Sequence, residues 1–85
     1  MDESDFYRSL GFVIKQFRSN EGLTQQQLEE KTGIQRGFIS DVECGRKGIT
    51  IYKLYQLCQG FQHVSTSDLV GMLDRRIAEN ANHRR

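Results

Sequence analysis

The residues best suited to directed contacts stand together in one short stretch, Gln35-Arg36-Gly37-Phe38-Ile39-Ser40-Asp41. An arginine guanidinium is a planar fork that matches guanine O6 and N7 with two hydrogen bonds, so Arg36 is the leading candidate for reading a base. Gln35, one step earlier, can hold an adenine edge or a phosphate. Ser40, one helical turn after Arg36, falls on the same side. Asp41 can accept from a cytosine amino group or orient Arg36, since a carboxylate near phosphates is repelled. Phe38 stands where it can touch a thymine methyl. Each of these polar residues also fits a merely solvated helix surface, because many such contacts only position a backbone.

A basic group follows directly. The segment 35–53 carries Arg36, Arg46, Lys47 and Lys53 against Asp41 and Glu43, whereas residues 1–5 carry three acids and no base. The net charge of the whole chain is only +1, so the clustering says more than the sum. Arg46 and Lys47, with Thr50 and the amides beginning the helix after it, make a candidate phosphate clamp that Lys53 can join. Each phosphate neutralised adds roughly 0.9 to the salt slope of binding. Lys47 and Lys53 serve equally well as soluble surface.

Other reactive side chains suggest less. Cys44, Cys58, His63 and His83 match no zinc spacing, so no metal and no cofactor is expected. Cys58 fits a small core residue, while Cys44 beside Arg46 is a candidate exposed thiol. No serine–histidine–acid set or glycine-rich phosphate loop supports an enzyme.

Helices must position these groups. The chain has no proline and few alternating β-branched runs, which argues for an all-α fold. Phe6, Leu10, Val13, Ile14 and Phe17 are spaced for one buried helical face and predict a helix over about 5–19. Gly22 suits a left-handed cap after it. Thr24 and Gln27 form a capping box that opens a second helix over 24–32. Gly33 supplies the positive φ of a tight turn into a third helix over 35–43. Thr50 is an N-cap for a fourth, 50–59, with Ile51, Leu54, Tyr55 and Cys58 as its apolar stripe and Gly60 ending it. Ser65, Thr66 or Ser67 caps a fifth over 66–79, and residues 80–85 read as a polar, frayed tail.

Eighty-five residues allow one small domain, 1–85, that buries only about 60% of its unfolded surface. No apolar run predicts a membrane span, and the acidic N-terminus lacks the pattern of a secretory signal. Two cysteines without a CxxC point to a reducing, cytoplasmic setting.

Two short helices joined at Gly33, the second opening on polar residues, make a helix-turn-helix, whose second helix enters the major groove of DNA. From Leu10 to about Leu73 the chain resembles the lambda-repressor-like, or XRE-type, regulators. Arg18 lies in the turn before Gly22-Leu23-Thr24-Gln25. The motif begins at Gln25, with Leu28 at its buried fourth position, Gly33 at the ninth, Ile34 at the tenth, Ile39 at the fifteenth and Val42 at the eighteenth. Glu43-x-Gly45-Arg46 closes it. The size and the segment Gly48-Ile49-Thr50-Ile51-x-x-Leu54 look closest to restriction–modification controller proteins, with small phage repressors nearly as similar. The resemblance implies a five-helix DNA-binding domain, a double-stranded operator as partner, and a phosphate contact at Gln25. Two positions depart from the pattern. Glu29 stands where the fifth residue is usually alanine, and Thr32 where the eighth is usually apolar.

Leu69, Val70, Met72, Leu73 and Ile77 cover more than one face of the fifth helix and suggest a homodimer. A two-fold dimer would place its recognition helices one DNA turn apart, about 34 Å, on a palindromic site. With no membrane partner or small-molecule ligand expected, the sequence reads as a dimeric transcriptional regulator. The competing reading is an antitoxin of the same fold, for which a long toxin-wrapping tail is the missing feature.

Overall fold

The computed structural model describes residues 1–83. It holds five helices, α1 (Glu3–Asn20), α2 (Gln25–Thr32), α3 (Arg36–Glu43), α4 (Ile51–Cys58) and α5 (Thr66–His83), with no strand among the described residues. The long helices α1 and α5 lie against each other, and α3 packs on α1. Helix α2 bridges α3 and α4, and α4 leans on α5.

Four helices begin at a side chain supplied by their own segment. Asp2 accepts from the Asp5 amide at 2.8 Å at the start of α1. Thr24 Oγ1 accepts from the Gln27 amide (3.1 Å) while Gln27 Oε1 accepts from the Thr24 amide (2.9 Å), a complete capping box. Thr50 Oγ1 accepts from the Lys53 amide at 3.1 Å. Ser65 and Asp68 repeat the reciprocal arrangement at α5, the Ser65 amide donating at 2.8 Å and the Asp68 amide at 3.2 Å. Each cap satisfies an amide that has no partner within its helix.

The core is made by Leu10, Val13, Ile14 and Phe17 of α1, Leu28, Ile34, Ile39 and Val42 of the α2–α3 pair, Leu54, Leu57 and Cys58 of α4, Phe61, and Leu69 and Leu73 of α5. It corrects the sequence expectation at several points. Phe6 lies at the solvent edge rather than on the buried face. In α4 the inward residues are Leu54, Leu57 and Cys58, whereas Ile51 and Tyr55 are 71% and 57% exposed. Helix α4 is apolar on more than one side, and its inward face is set by what it meets on α2 and α5. The fifth helix continues through Asn80 to His83 instead of fraying at Asn80. The two terminal arginines of the expected tail lie outside the described residues.

Close approach fixes the angle between α1 and α3. A methyl group on Gly11 would sit 2.3 Å from the Val42 carbonyl oxygen and 2.6 Å from that of Glu43, so only glycine admits the crossing. Glu21 ties the end of α1 to the α4–α5 loop, accepting from the amides of Gln62 (2.9 Å) and His63 (3.1 Å). These bonds, with the His63 ring beside them, hold the Glu21 carboxyl below its ordinary range.

Candidate nucleic-acid interface

The turn between α2 and α3 is made by Gly33 at φ +78°, whose amide donates to the Glu29 carbonyl at 2.8 Å. A side chain there would be strained, because the left-handed region costs L-residues energy that glycine escapes. Ile34 then plunges into the core, and Ile39 and Val42 follow it from α3. With that face buried, the opposite face of α3 is turned outward.

On that outer side Gln35, Arg36 and Gly37 are exposed, and Ser40 and Asp41 are half-buried. Gln35, expected as the first helical residue, is instead the N-cap, with extended backbone and no side-chain cap bond. No ion pair engages the Arg36 guanidinium among the described residues, and its fork is open to solvent. Asp41 does not orient Arg36. Its carboxylate faces the other way, 3.3 Å from Lys47 Nζ and 3.6 Å from an Arg46 guanidinium nitrogen. Phe38 is half-buried against the core, and its ring lies under two ammonium groups, Lys53 at 5.1 Å and Lys47 at 5.8 Å from its centre. Phe38 is thus a platform for the basic loop, in the range where a cation is drawn to a ring face.

The basic residues are carried by the α3–α4 loop. Gly45, at φ +76°, lets the chain reverse directly over the Arg8 backbone of α1. Arg46 and Lys47 are thrown outward there, both more than half exposed. Thr50 uses its hydroxyl to cap α4, so the amides of Ile51 and Tyr52 in the first turn remain without a helical partner. Arg46, Lys47, Lys53 and these amides lie together at the α3–α4 end of the fold.

Gln25 is placed by a network the sequence did not reveal. Arg18 makes a two-pronged ion pair with Glu43, at 2.7 and 2.9 Å, with side chains only 11% and 2% exposed. Gln25 Nε2 donates to the same carboxylate at 3.0 Å, and Arg18 also donates to the Leu23 carbonyl at 2.7 Å. The carboxylate holds the Arg18 guanidinium above its already high range. One buried cluster therefore locks the end of α1, the start of α2 and the end of α3. One hydrogen of the Gln25 amide is committed to Glu43, which fixes where the other can point. The signal for this was present in the Arg18 turn and in Glu43-x-Gly45, but the partners lie 25 residues apart and only the fold joins them.

Both departures from the family pattern find partners. Thr32 donates to the Leu28 carbonyl (2.8 Å) and accepts from the Ile34 amide (3.2 Å), so a hydroxyl replaces the usual apolar group without a lost bond. Glu29 reaches out of the α2–α3 crossing, and its Oε2 accepts from the Arg36 amide at 3.2 Å.

Of the five α5 residues expected at a dimer contact, Leu69 and Leu73 are core residues of the chain itself. Ile77 is partly buried against the same core, and Val70 and Met72 face solvent. No group of three or more histidine, cysteine or acidic side chains suited to a metal occurs among the described residues. None of the described helices is long and apolar enough to cross a membrane. Cys58 is buried and Cys44 exposed, both as free thiols.

An outward helix held by a buried turn, with cations on the adjoining loop, defines a helix-turn-helix DNA-binding protein. The chain belongs to the helix-turn-helix regulators of the XRE type, the helix-turn-helix domain model matching residues 11–69. It is 34% identical over 62 residues to the uncharacterized HTH-type transcriptional regulator y4dJ of Sinorhizobium fredii, covering 71% of this chain and 80% of the relative. Among solved structures it resembles the restriction–modification controller protein C.Esp1396I. The wild-type form is 31% identical at a TM-score of 0.78, over 87% of this chain and 95% of that one. A tetramer of C.Esp1396I with its natural 35 base-pair operator matches at 32% and 0.77, over 86% and 95%. The clp gene regulator ClgR of Corynebacterium glutamicum matches at 25% and 0.76, over 84% and 91%.

Proposed function

We propose that this helix-turn-helix regulator binds a palindromic operator as a homodimer and controls its own operon, of the restriction–modification or phage type. The observation that carries the reading is the outward face of α3. It presents an unpaired Arg36 fork beside Gln35 and Ser40, flanked by Arg46, Lys47 and Lys53. Arg36 reads guanine, Gln35 contacts a phosphate or an adenine, and Ser40 supports them from the next turn. Asp41 stays tied to the basic loop until a cytosine amino group or a phosphate competes for one of the partners. Gln25 and Thr50, with the amides next to it, clamp the backbone on either side of the groove, as helix N-termini do.

The test is selection of DNA from a random pool, followed by footprinting and a salt series. A palindromic consensus and a steep salt dependence are expected. Equal affinity for every sequence would sink the reading. On the selected site Arg36→Ala is expected to cost about 1–3 kcal/mol and to relax preference at one base pair. An equal loss on random DNA would make Arg36 a phosphate contact.

A further inference from the structure

We propose that Glu29 is a positioning residue for DNA reading, a cap lent by α2 to the N-terminus of α3. The proposal rests on the DNA-binding role of α3 given above. Helix α3 has no side-chain cap of its own and no acidic residue in its first turn. The other four helices each begin at a side chain of their own segment that accepts a first-turn amide. For α3 that acceptor comes from seven residues upstream, where Glu29 Oε2 takes the Arg36 amide. Glu29 grips the turn twice, since its carbonyl also accepts from the Gly33 amide at 2.8 Å. The backbone of the leading base-reading residue is thus held by a carboxylate of the preceding helix.

The arrangement has two consequences for DNA. First, the hydrogen bond fixes the opening turn of α3, and with it the origin of the Arg36 side chain. A bidentate contact to guanine tolerates little displacement, whereas a phosphate contact tolerates more. Second, the carboxylate sets a negative charge against the positive end of α3, where a bare helix terminus would attract any phosphate. Glu29 therefore favours the selected sequence over random DNA by holding the reader and by withholding a general anion site.

The test compares wild type, Glu29→Gln and Glu29→Ala on DNA selected by the wild-type protein and on random DNA of equal length. Glutamine keeps an acceptor oxygen and loses the charge; alanine loses both. The preference for selected over random DNA should fall about fivefold in Glu29→Ala, the scale of one lost N-cap. Affinity for random DNA should hold or rise in the same variant. Glu29→Gln should bind both DNAs more tightly and keep most of the preference. Amide exchange measured by NMR supplies the readout free of DNA. The Arg36 amide should lose protection in Glu29→Ala while the core amides of α1 keep theirs, which also shows that the variant is folded. Parallel loss on both DNAs, or unchanged Arg36 exchange, overturns the proposal. If wild type itself shows no preference, the regulator reading fails first and the two failures remain separate.

Discussion

Among the described residues, Arg18 and Glu43 form the ion pair with the least exposed side chains on both partners, and so the one with the most at stake. Withdrawing two charges from water costs several kcal/mol, and only close geometry with further hydrogen bonds offsets it. Here the fork is doubly engaged and the carboxylate has Gln25 as a third donor. Removing one partner leaves the other charged and buried, so Arg18→Met should lower stability by about 3–5 kcal/mol in urea unfolding. The double variant Arg18→Met with Glu43→Leu should recover much of that loss. No recovery would mean that the Leu23 carbonyl bond, rather than the stranded carboxylate, sets the penalty. Glu21 gives a second prediction of opposite character, one of pH. Its carboxyl lies below the ordinary 4.5 because two amides donate to it. A carboxyl depressed on folding contributes its full stability above the unfolded value and loses it as pH falls through the folded one. The stability advantage of wild type over Glu21→Gln should therefore persist at neutral pH and shrink on acidification below about pH 4.5. Urea midpoints at a series of pH values check this, and a difference independent of pH would assign the effect to shape instead of charge.

At the scale of elements, α3 contains a glycine whose reason is not local. A methyl group on Gly37 would meet nothing within 4 Å, and the residue lies in the first turn of α3, where replacing glycine by alanine gains at most about 1 kcal/mol. Gly37→Ala should accordingly raise the thermal midpoint. If the stabilised variant also binds the selected DNA less well, the glycine serves close approach to the groove; unchanged binding makes it a tolerated residue. The elements also show which features sequence could convey. Helix starts were legible at Thr24 and Thr50, and the turn at Gly33, because caps and positive φ are written within a few residues. The inward face of α4 was not, since an apolar helix admits several stripes and its neighbours choose Leu54, Leu57 and Cys58. Glu29 and Glu43 were visible as residues but not as partners, because each completes its bonds with a different helix.

At the scale of the whole molecule, the proposed homodimer can be tested on the surface that α5 leaves uncovered. Leu69 and Leu73 close the core of a single chain, which removes them from any dimer surface and leaves Val70 and Met72, each 37% exposed, on the outer side of α5. Nearby on the α1–α5 flank, Arg76 stacks on Phe12 with its guanidinium carbon 3.5 Å from the ring centre. In the proposed dimer a two-fold contact through α5 would bury Val70 and Met72 against their copies, and a palindromic site requires that both α3 faces then stay free. Met72→Glu places like charges at such a contact and leaves the core untouched. It should shift sedimentation toward the monomer at micromolar concentration, keep its helix content by circular dichroism, and bind a full operator no better than two independent half-sites. A variant that still sediments as a dimer and still binds cooperatively would move the interface away from the outer side of α5.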